Sequence, residues 1–177
     1  MRHPIHPELA TLAGAAKQMT RQRTAETSTL LCEALRKAVR GSHNWLRPEH
    51  RIGDPARYMR HLLYVDPDGD FVMSVLVWLP GQQSPVHGHE VWCAYGVVEG
   101  ELTEEQYRAA GNRIEPAKTA VLRAGDIADL DVDRRVIHRV CNRSDAPLAT
   151  LHLYGVAAER LTTGINRLYP LGLDQPS

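Results

Sequence analysis

Two histidines one residue apart, His87 and His89, sit in the segment SPVHGHEVW, which leads into an apolar run. Side chains of an extended chain alternate between faces, so this spacing turns both imidazoles the same way. Imidazole nitrogens suit zinc, copper, iron and nickel, and a pair on one face is the start of a metal site. The strand's other residues sort by the same parity: Val91 and Cys93 share the histidine face, while Gly88, Glu90 and Trp92 take the other. Glu90 is then turned away as a ligand. Cys93 is either a further ligand or a small buried residue. A second alternating run, Thr150-Leu151-His152-Leu153-Tyr154, places a hydroxyl, an imidazole and a phenol on one face.

Such side chains need rigid elements beneath them. The 177 residues are expected to form one domain, with a helical region over about 1–50 and a β-barrel over about 58–177. One helical stretch runs from Pro7-Glu8 to about Met19. Another runs from Thr24 to Arg40, where Leu31, Leu35, Ala38 and Val39 recur at helical spacing and Gly41-Ser42 stops it. From Tyr58 on, short β-type runs alternate with turn residues. They are HLLYV before DPDGD, FVMSVLVWL before Pro80-Gly81, then EVWCAYGVVEG, LTEEQYRA, TAVLRAGDIADL, VIHRVCN and ATLHLYGVA. Many short strands at this spacing predict an all-β barrel or double-sheet roll, with the N-terminal helices against its outside or one edge.

Composition narrows the function classes. Lysine plus arginine equal aspartate plus glutamate at 21 each, which argues against nucleic acid or an anionic membrane as partner. No apolar run approaches the roughly 20 residues of a membrane helix. Glu8 interrupts the short apolar patch near the N-terminus and no cleavage pattern follows, so no secretory leader is expected. Cys32, Cys93 and Cys141 are an odd, sparse set rather than a disulfide framework, which suits a reducing cytoplasm.

The setting of the histidine pair resembles the first motif of the cupin superfamily: Gly81, five residues, His87-x-His89, three residues, Cys93, six residues, Gly100. In that motif glycines bracket the histidines, and the position of Cys93 is usually glutamate. Gly125-Asp126 followed by His138, with Asn142 four residues on, resembles the second motif without its proline and glycine. The resemblance implies a mainly β cupin, a double-sheet jelly-roll barrel, with His138 as a third ligand to one metal ion. With cysteine in the glutamate's place it implies three neutral ligands. Such a metal keeps its charge for anionic ligands on its open face, a soft thiolate among them. Zinc accepts three histidines as readily as iron does.

The stretch SPVHGHEVWCAYGVVEG, with further patches from about Tyr58 to Tyr154, resembles the thiol dioxygenases of the cysteine dioxygenase type I family, especially bacterial members. The resemblance implies Fe(2+) and dioxygen converting a thiol to its sulfinic acid, both oxygen atoms going to sulfur. Thr150, His152 and Tyr154 are similar to the family's Ser-x-His-x-Tyr triad, with threonine keeping the hydroxyl. This implies a hydrogen-bonded chain beside the metal, ending on a phenol that assists proton movement. In animal members a cysteine at the corresponding place is joined to the triad tyrosine by a thioether, while many bacterial relatives carry glycine. Cys93 and Tyr154 leave that crosslink open here. Tyr58-Met59-Arg60 resembles the family's Tyr-x-Arg, whose arginine binds the carboxylate of cysteine through the guanidinium fork. Relatives that prefer 3-mercaptopropionate usually carry glutamine instead. Two departures stand out. The family's His-Asp-His is His87-Gly88-His89, and the region where the mercaptopropionate group carries an arginine after the triad holds both Arg160 and Arg167, with the register of neither fixed.

The expected function is an iron-dependent dioxygenase acting on a small thiol carboxylate, with L-cysteine the first candidate. The alternatives are a dioxygenase for 3-mercaptopropionate or mercaptosuccinate, and a non-catalytic metal cupin that senses or binds a small ligand. Thr150, His152 and Tyr154 are the expected catalytic set, Arg60 and Tyr58 the substrate-binding pair, and His87, His89 and His138 the metal ligands. Expected partners are a small thiol and dioxygen, in a cytoplasmic monomer or small homo-oligomer.

Overall fold

Thr24 and Thr27 cap one another at the start of the longest helix: each backbone N–H donates to the other's hydroxyl, at 3.0 and 3.2 Å. The chain is described from a computed structural model covering residues 5–170 except 112, 129 and 132. Helices α1 (Pro7–Arg21), α2 (Ala25–Arg40) and α3 (Ser42–Trp45) precede nine strands. These are β1 (Met59–Val65), β2 (Val72–Trp78), β3 (His87–His89), β4 (Cys93–Glu99), β5 (Glu101–Ala110), β6 (Arg113–Arg123), β7 (Ile137–Cys141), β8 (Leu148–Tyr154) and β9 (Asn166–Leu168). They form two antiparallel sheets, ordered β1-β2-β8-β4 and β6-β5-β7-β3-β9. The result is a mainly β barrel of two antiparallel sheets with helices outside.

Burial explains how the strand sequences read. Every residue of β2 and β8 is buried, because both faces of these strands are covered. Met73, Val75, Ala149, Leu151 and Leu153 point outward into a core shared with Leu12, Met19, Leu31 and Leu35 of the two long helices. The opposite face packs into the barrel, where Leu76, Val97 and Leu148 meet Leu102, Leu122 and Val140 of the second sheet. Thr150, His152 and Tyr154 take this inner face by strand alternation. Helix α1 is pinned to the β1–β2 turn by Lys17, whose Nζ lies 2.7, 2.7 and 2.6 Å from Asp66, Asp68 and Asp70. The lysine ammonium thus fills the centre of that acidic cluster.

Two strand expectations change. His87 to Cys93 is not one unbroken strand: β3 ends at His89, β4 begins at Cys93, and the residues between them cross from one sheet to the other. The parity that put Cys93 on the histidine face therefore does not apply, although Cys93 still faces inward from its own strand. The run TAVLRAGDIADL is likewise broken. Strand β6 starts earlier, at Arg113, and stops at Arg123; Gly125 then turns with φ +94°. Residues 1–4 and 171–177 of the expected helical and barrel regions lie outside the described residues. Among the described residues, no helix is long and apolar enough to cross a membrane.

Candidate metal centre

His87, His89 and His138 are buried, and one ligand atom from each lies within 4.8 Å of the other two. The sheet brings them together. His87 is the direct β-partner of His138, and His89 follows it by two residues on the same face of β3. Each imidazole spends its Nδ1 on an outer partner. His89 Nδ1 is 2.8 Å from Asp131 Oδ2, His138 Nδ1 is 2.7 Å from Glu104 Oε1, and His87 Nδ1 is 3.0 Å from the Pro85 carbonyl. Burial alone would raise both carboxyls, but hydrogen bonds from the histidines hold Asp131 and Glu104 below the usual range. Ionised carboxylates only accept, so Nδ1 of His89 and His138 carries the proton and Nε2 presents a lone pair. His138 Nε2 is buried with no hydrogen-bond partner. An orphaned acceptor among converging imidazoles fits a metal ion, and these three histidines could hold one.

Burial, with His138 and His89 close by, pulls His87 down to about 3, so His87 is neutral at physiological pH. Asp131 has three further partners: its backbone bridges Cys93, and its Oδ1 accepts the N–H groups of Arg135 and Val136 at 2.8 and 3.2 Å. Glu104 is held from three sides. Besides His138, it accepts from the Tyr95 hydroxyl at 2.7 Å and from Gln106 Nε2 at 2.9 Å. Glu104, Asp131 and Tyr95 were not among the residues singled out in the sequence. For Glu104 a signal existed, since alternation in LTEEQ sets it on the face of Leu102 and Gln106. Tyr95 lies two residues from Cys93 on β4. For Asp131 no local signal exists.

The expected triad forms a continuous chain. Trp78 Nε1 donates to Thr150 Oγ1 at 3.0 Å, Thr150 Oγ1 lies 2.9 Å from His152 Nε2, and His152 Nδ1 lies 3.0 Å from the Tyr154 hydroxyl. An indole can only donate, so the threonine oxygen accepts from Trp78, and its own proton has both the Leu76 carbonyl, at 3.4 Å, and His152 within reach. Burial, and Arg60 after it, holds His152 well below the ordinary imidazole range, so it is neutral. A neutral imidazole donates through one nitrogen and accepts through the other, so His152 links the Thr150 hydroxyl to the Tyr154 phenol. Burial also raises the Tyr154 phenol, which stays protonated. His152 is stacked on Tyr95 with ring centroids 4.9 Å apart at 7°, so Tyr95 joins this chain to Glu104.

The metal cluster and the end of this chain share a chamber of about 20 Å³, room for one or two water-sized spheres. His152, Tyr154, Cys93, Tyr58 and Arg60 line it with the three histidines. Thr150 does not; it stands behind His152 and positions it. Cys93 is the direct cross-strand partner of Tyr154. Arg60 enters from β1, with its guanidinium carbon 5.8 Å from the Tyr154 ring centroid. Its Nη1 donates to the Leu161 carbonyl at 3.4 Å, and its Nε is buried with no partner. Tyr58 is stacked on Trp78 at 4.3 Å. Tyr58, Arg60 and Asn166 also line an outer groove of about 690 Å³. Neither Arg160 nor Arg167 borders the chamber. Arg167 is exposed and paired with Glu90, Nε to Oε1 at 2.8 Å.

Residues 7–161 match the family model described as cysteine dioxygenase type I. Solved structures with a similar fold include a protein of Thermus thermophilus, 21% identical, covering 61% of this chain and 91% of its own, with a TM-score of 0.48. A double-stranded β-helix protein of Klebsiella pneumoniae is 19% identical over 69% of this chain and 92% of its own, at 0.49. A cupin 2 conserved barrel protein of Salinispora arenicola is 23% identical over 60% and 83%, at 0.44.

Proposed function

The chain belongs to the cysteine dioxygenase type I family, and on that basis we propose that it is a ferrous-iron thiol dioxygenase whose substrate is a small thiol carboxylate, first of all L-cysteine. The observation that carries this reading is the shared chamber, in which three metal-binding histidines face both Arg60 and Tyr154. The reaction is R–SH + O2 → R–SO2H. Sulfur gives up four electrons, dioxygen takes them, and both oxygen atoms end on sulfur, so no further reductant is needed. His87, His89 and His138 would hold the iron, which would supply the redox chemistry of the reaction.

The protein's own residues supply position and protons. Arg60 is charged and partly unpartnered inside the barrel, and its fork binds a carboxylate through parallel hydrogen bonds. Holding the carboxylate there presents the sulfur end of a short molecule to the histidine cluster, which is the advantage of fixed orientation. The small chamber leaves room for little bulk water and admits a ligand only a few atoms across. Tyr154 O–H, aimed by His152 and Thr150, donates to sulfur or oxygen in the chamber and can hold or return a proton there. Glu104 and Asp131 keep the ligating histidines in the tautomer that binds metal.

The test is dioxygen uptake by anaerobically iron-loaded protein given L-cysteine, 3-mercaptopropionate or mercaptosuccinate, with the sulfinate product identified by mass. Uptake matched by sulfinate with L-cysteine is the expected result. No uptake with any of the three thiols overturns the reading and leaves a metal-binding module.

A further inference from the structure

We infer that Asn166 is a specificity-determining residue whose side-chain oxygen accepts a hydrogen bond from the amino group of an amino-thiol carboxylate. The inference deepens the dioxygenase reading, on which the identity of the substrate rests. Strand β9 lies against the metal strand β3, with Asn166 the direct partner of His89. Opposed residues of an antiparallel pair share a face. Asn166 therefore points into the barrel beside a metal ligand, while its neighbour Arg167 turns out to Glu90.

Two polar atoms lack partners at the mouth of the chamber: Arg60 Nε, a donor, and Asn166 Oδ1, an acceptor. Both residues line the chamber and the outer groove. A buried polar atom without a partner costs free energy that a ligand can recover by supplying the complementary group. The complement of this pair is a ligand that carries both an acceptor and a donor. In cysteine the carbon that bears the carboxylate also bears the amino group. A carboxylate on Arg60 thus brings an amine to the same end of the chamber, where Asn166 offers the acceptor. A thiol carboxylate without an amine fills Arg60 and leaves Asn166 Oδ1 unpaired.

Calorimetric binding to iron-loaded protein, without dioxygen, tests this with L-cysteine, 3-mercaptopropionate and cysteamine. Asn166→Leu should weaken L-cysteine and cysteamine about tenfold and leave 3-mercaptopropionate within about twofold. Asn166→Asp, which keeps the acceptor, should retain L-cysteine affinity, and thermal melting checks that both variants fold. Equal weakening of L-cysteine and 3-mercaptopropionate by Asn166→Leu, or no weakening of either, overturns the inference. So does a wild-type protein that binds L-cysteine no better than 3-mercaptopropionate. Wild-type protein that binds L-cysteine in an Asn166-dependent way but consumes no dioxygen sinks the dioxygenase reading and leaves the Asn166 assignment standing.

Discussion

Cys93 and Tyr154 are direct partners across the β4–β8 ladder, side by side on the inner wall of the barrel. Opposed residues of such a pair hold their Cβ atoms about 4.5–5.5 Å apart, within reach of a sulfur and a phenol ring. Both are buried in one apolar cluster with Val72 and Val156. Burial, then the charges of Asp131 and Glu104, pushes the Cys93 thiol up, so in the metal-free protein it is held as S–H.

This pairing predicts a Cys93–Tyr154 thioether after turnover with iron and dioxygen. A bond from sulfur to the ring removes one hydrogen from each partner, and dioxygen takes the two electrons and two protons to give hydrogen peroxide. Intact mass should fall by two hydrogens, and Cys93→Ser should abolish the change. Unchanged mass after repeated turnover rules the crosslink out.

Arg60→Gln removes the fork that holds the carboxylate. Loss of a charge-assisted contact of about 1.5–3 kcal/mol should raise KM for carboxylated thiols roughly 10- to 150-fold. Cysteamine, which has no carboxylate, should be affected far less. If steady-state kinetics give the same KM as wild type for L-cysteine, Arg60 is not a substrate ligand.

Glu104 fixes the tautomer of His138 and is itself held by Tyr95 and Gln106. Glu104→Gln should lower metal affinity about 10- to 100-fold in chelator competition, the usual effect of losing an outer partner of a ligand. Wild-type affinity in this variant would show that His138 needs no such orientation.

Tyr154→Phe keeps the ring and removes the donor. With metal content and folding unchanged, kcat should drop by about a hundredfold or more, the scale of a lost proton-handling group. A full-rate variant would confine Tyr154 to packing.

Acid should unfold the metal-free protein from an unusually high pH. His152 is neutral when folded, because burial and Arg60 depress it, and His87 is held near about 3 by burial and its histidine neighbours. In the unfolded chain both bind protons near the ordinary imidazole value of about 6.5. The unfolded state therefore gains protons that the folded state refuses as pH falls below that value. Stability is complete above it and declines downward, by up to about 2.7 kcal/mol per pH unit for two such groups. Urea midpoints constant from about pH 7 to about pH 5 would contradict this.

Alternation along the chain was enough to place His87 with His89, and Thr150 with His152 and Tyr154, because side-chain direction in a strand is a local property. The same local reading located α2, where apolar residues recur on the face that covers the outside of the barrel. It misled between His89 and Cys93, since nothing in HGHEVWC marks the place where the chain leaves one sheet for the other. The partners of the site lie at long range: Asp131 is 42 residues from His89, and Glu104 is 34 from His138. Asn166 reaches the metal strand only through the β3–β9 pairing. Ligand types and the faces they share thus follow from residue order alone. Which carboxylate supports which histidine, that Cys93 meets Tyr154, and that the inward position on β9 belongs to Asn166 rather than Arg167 emerge only in the folded chain. Strand register and sheet order arise from pairings distant in the chain, whereas the pleat is written into every pair of neighbouring residues.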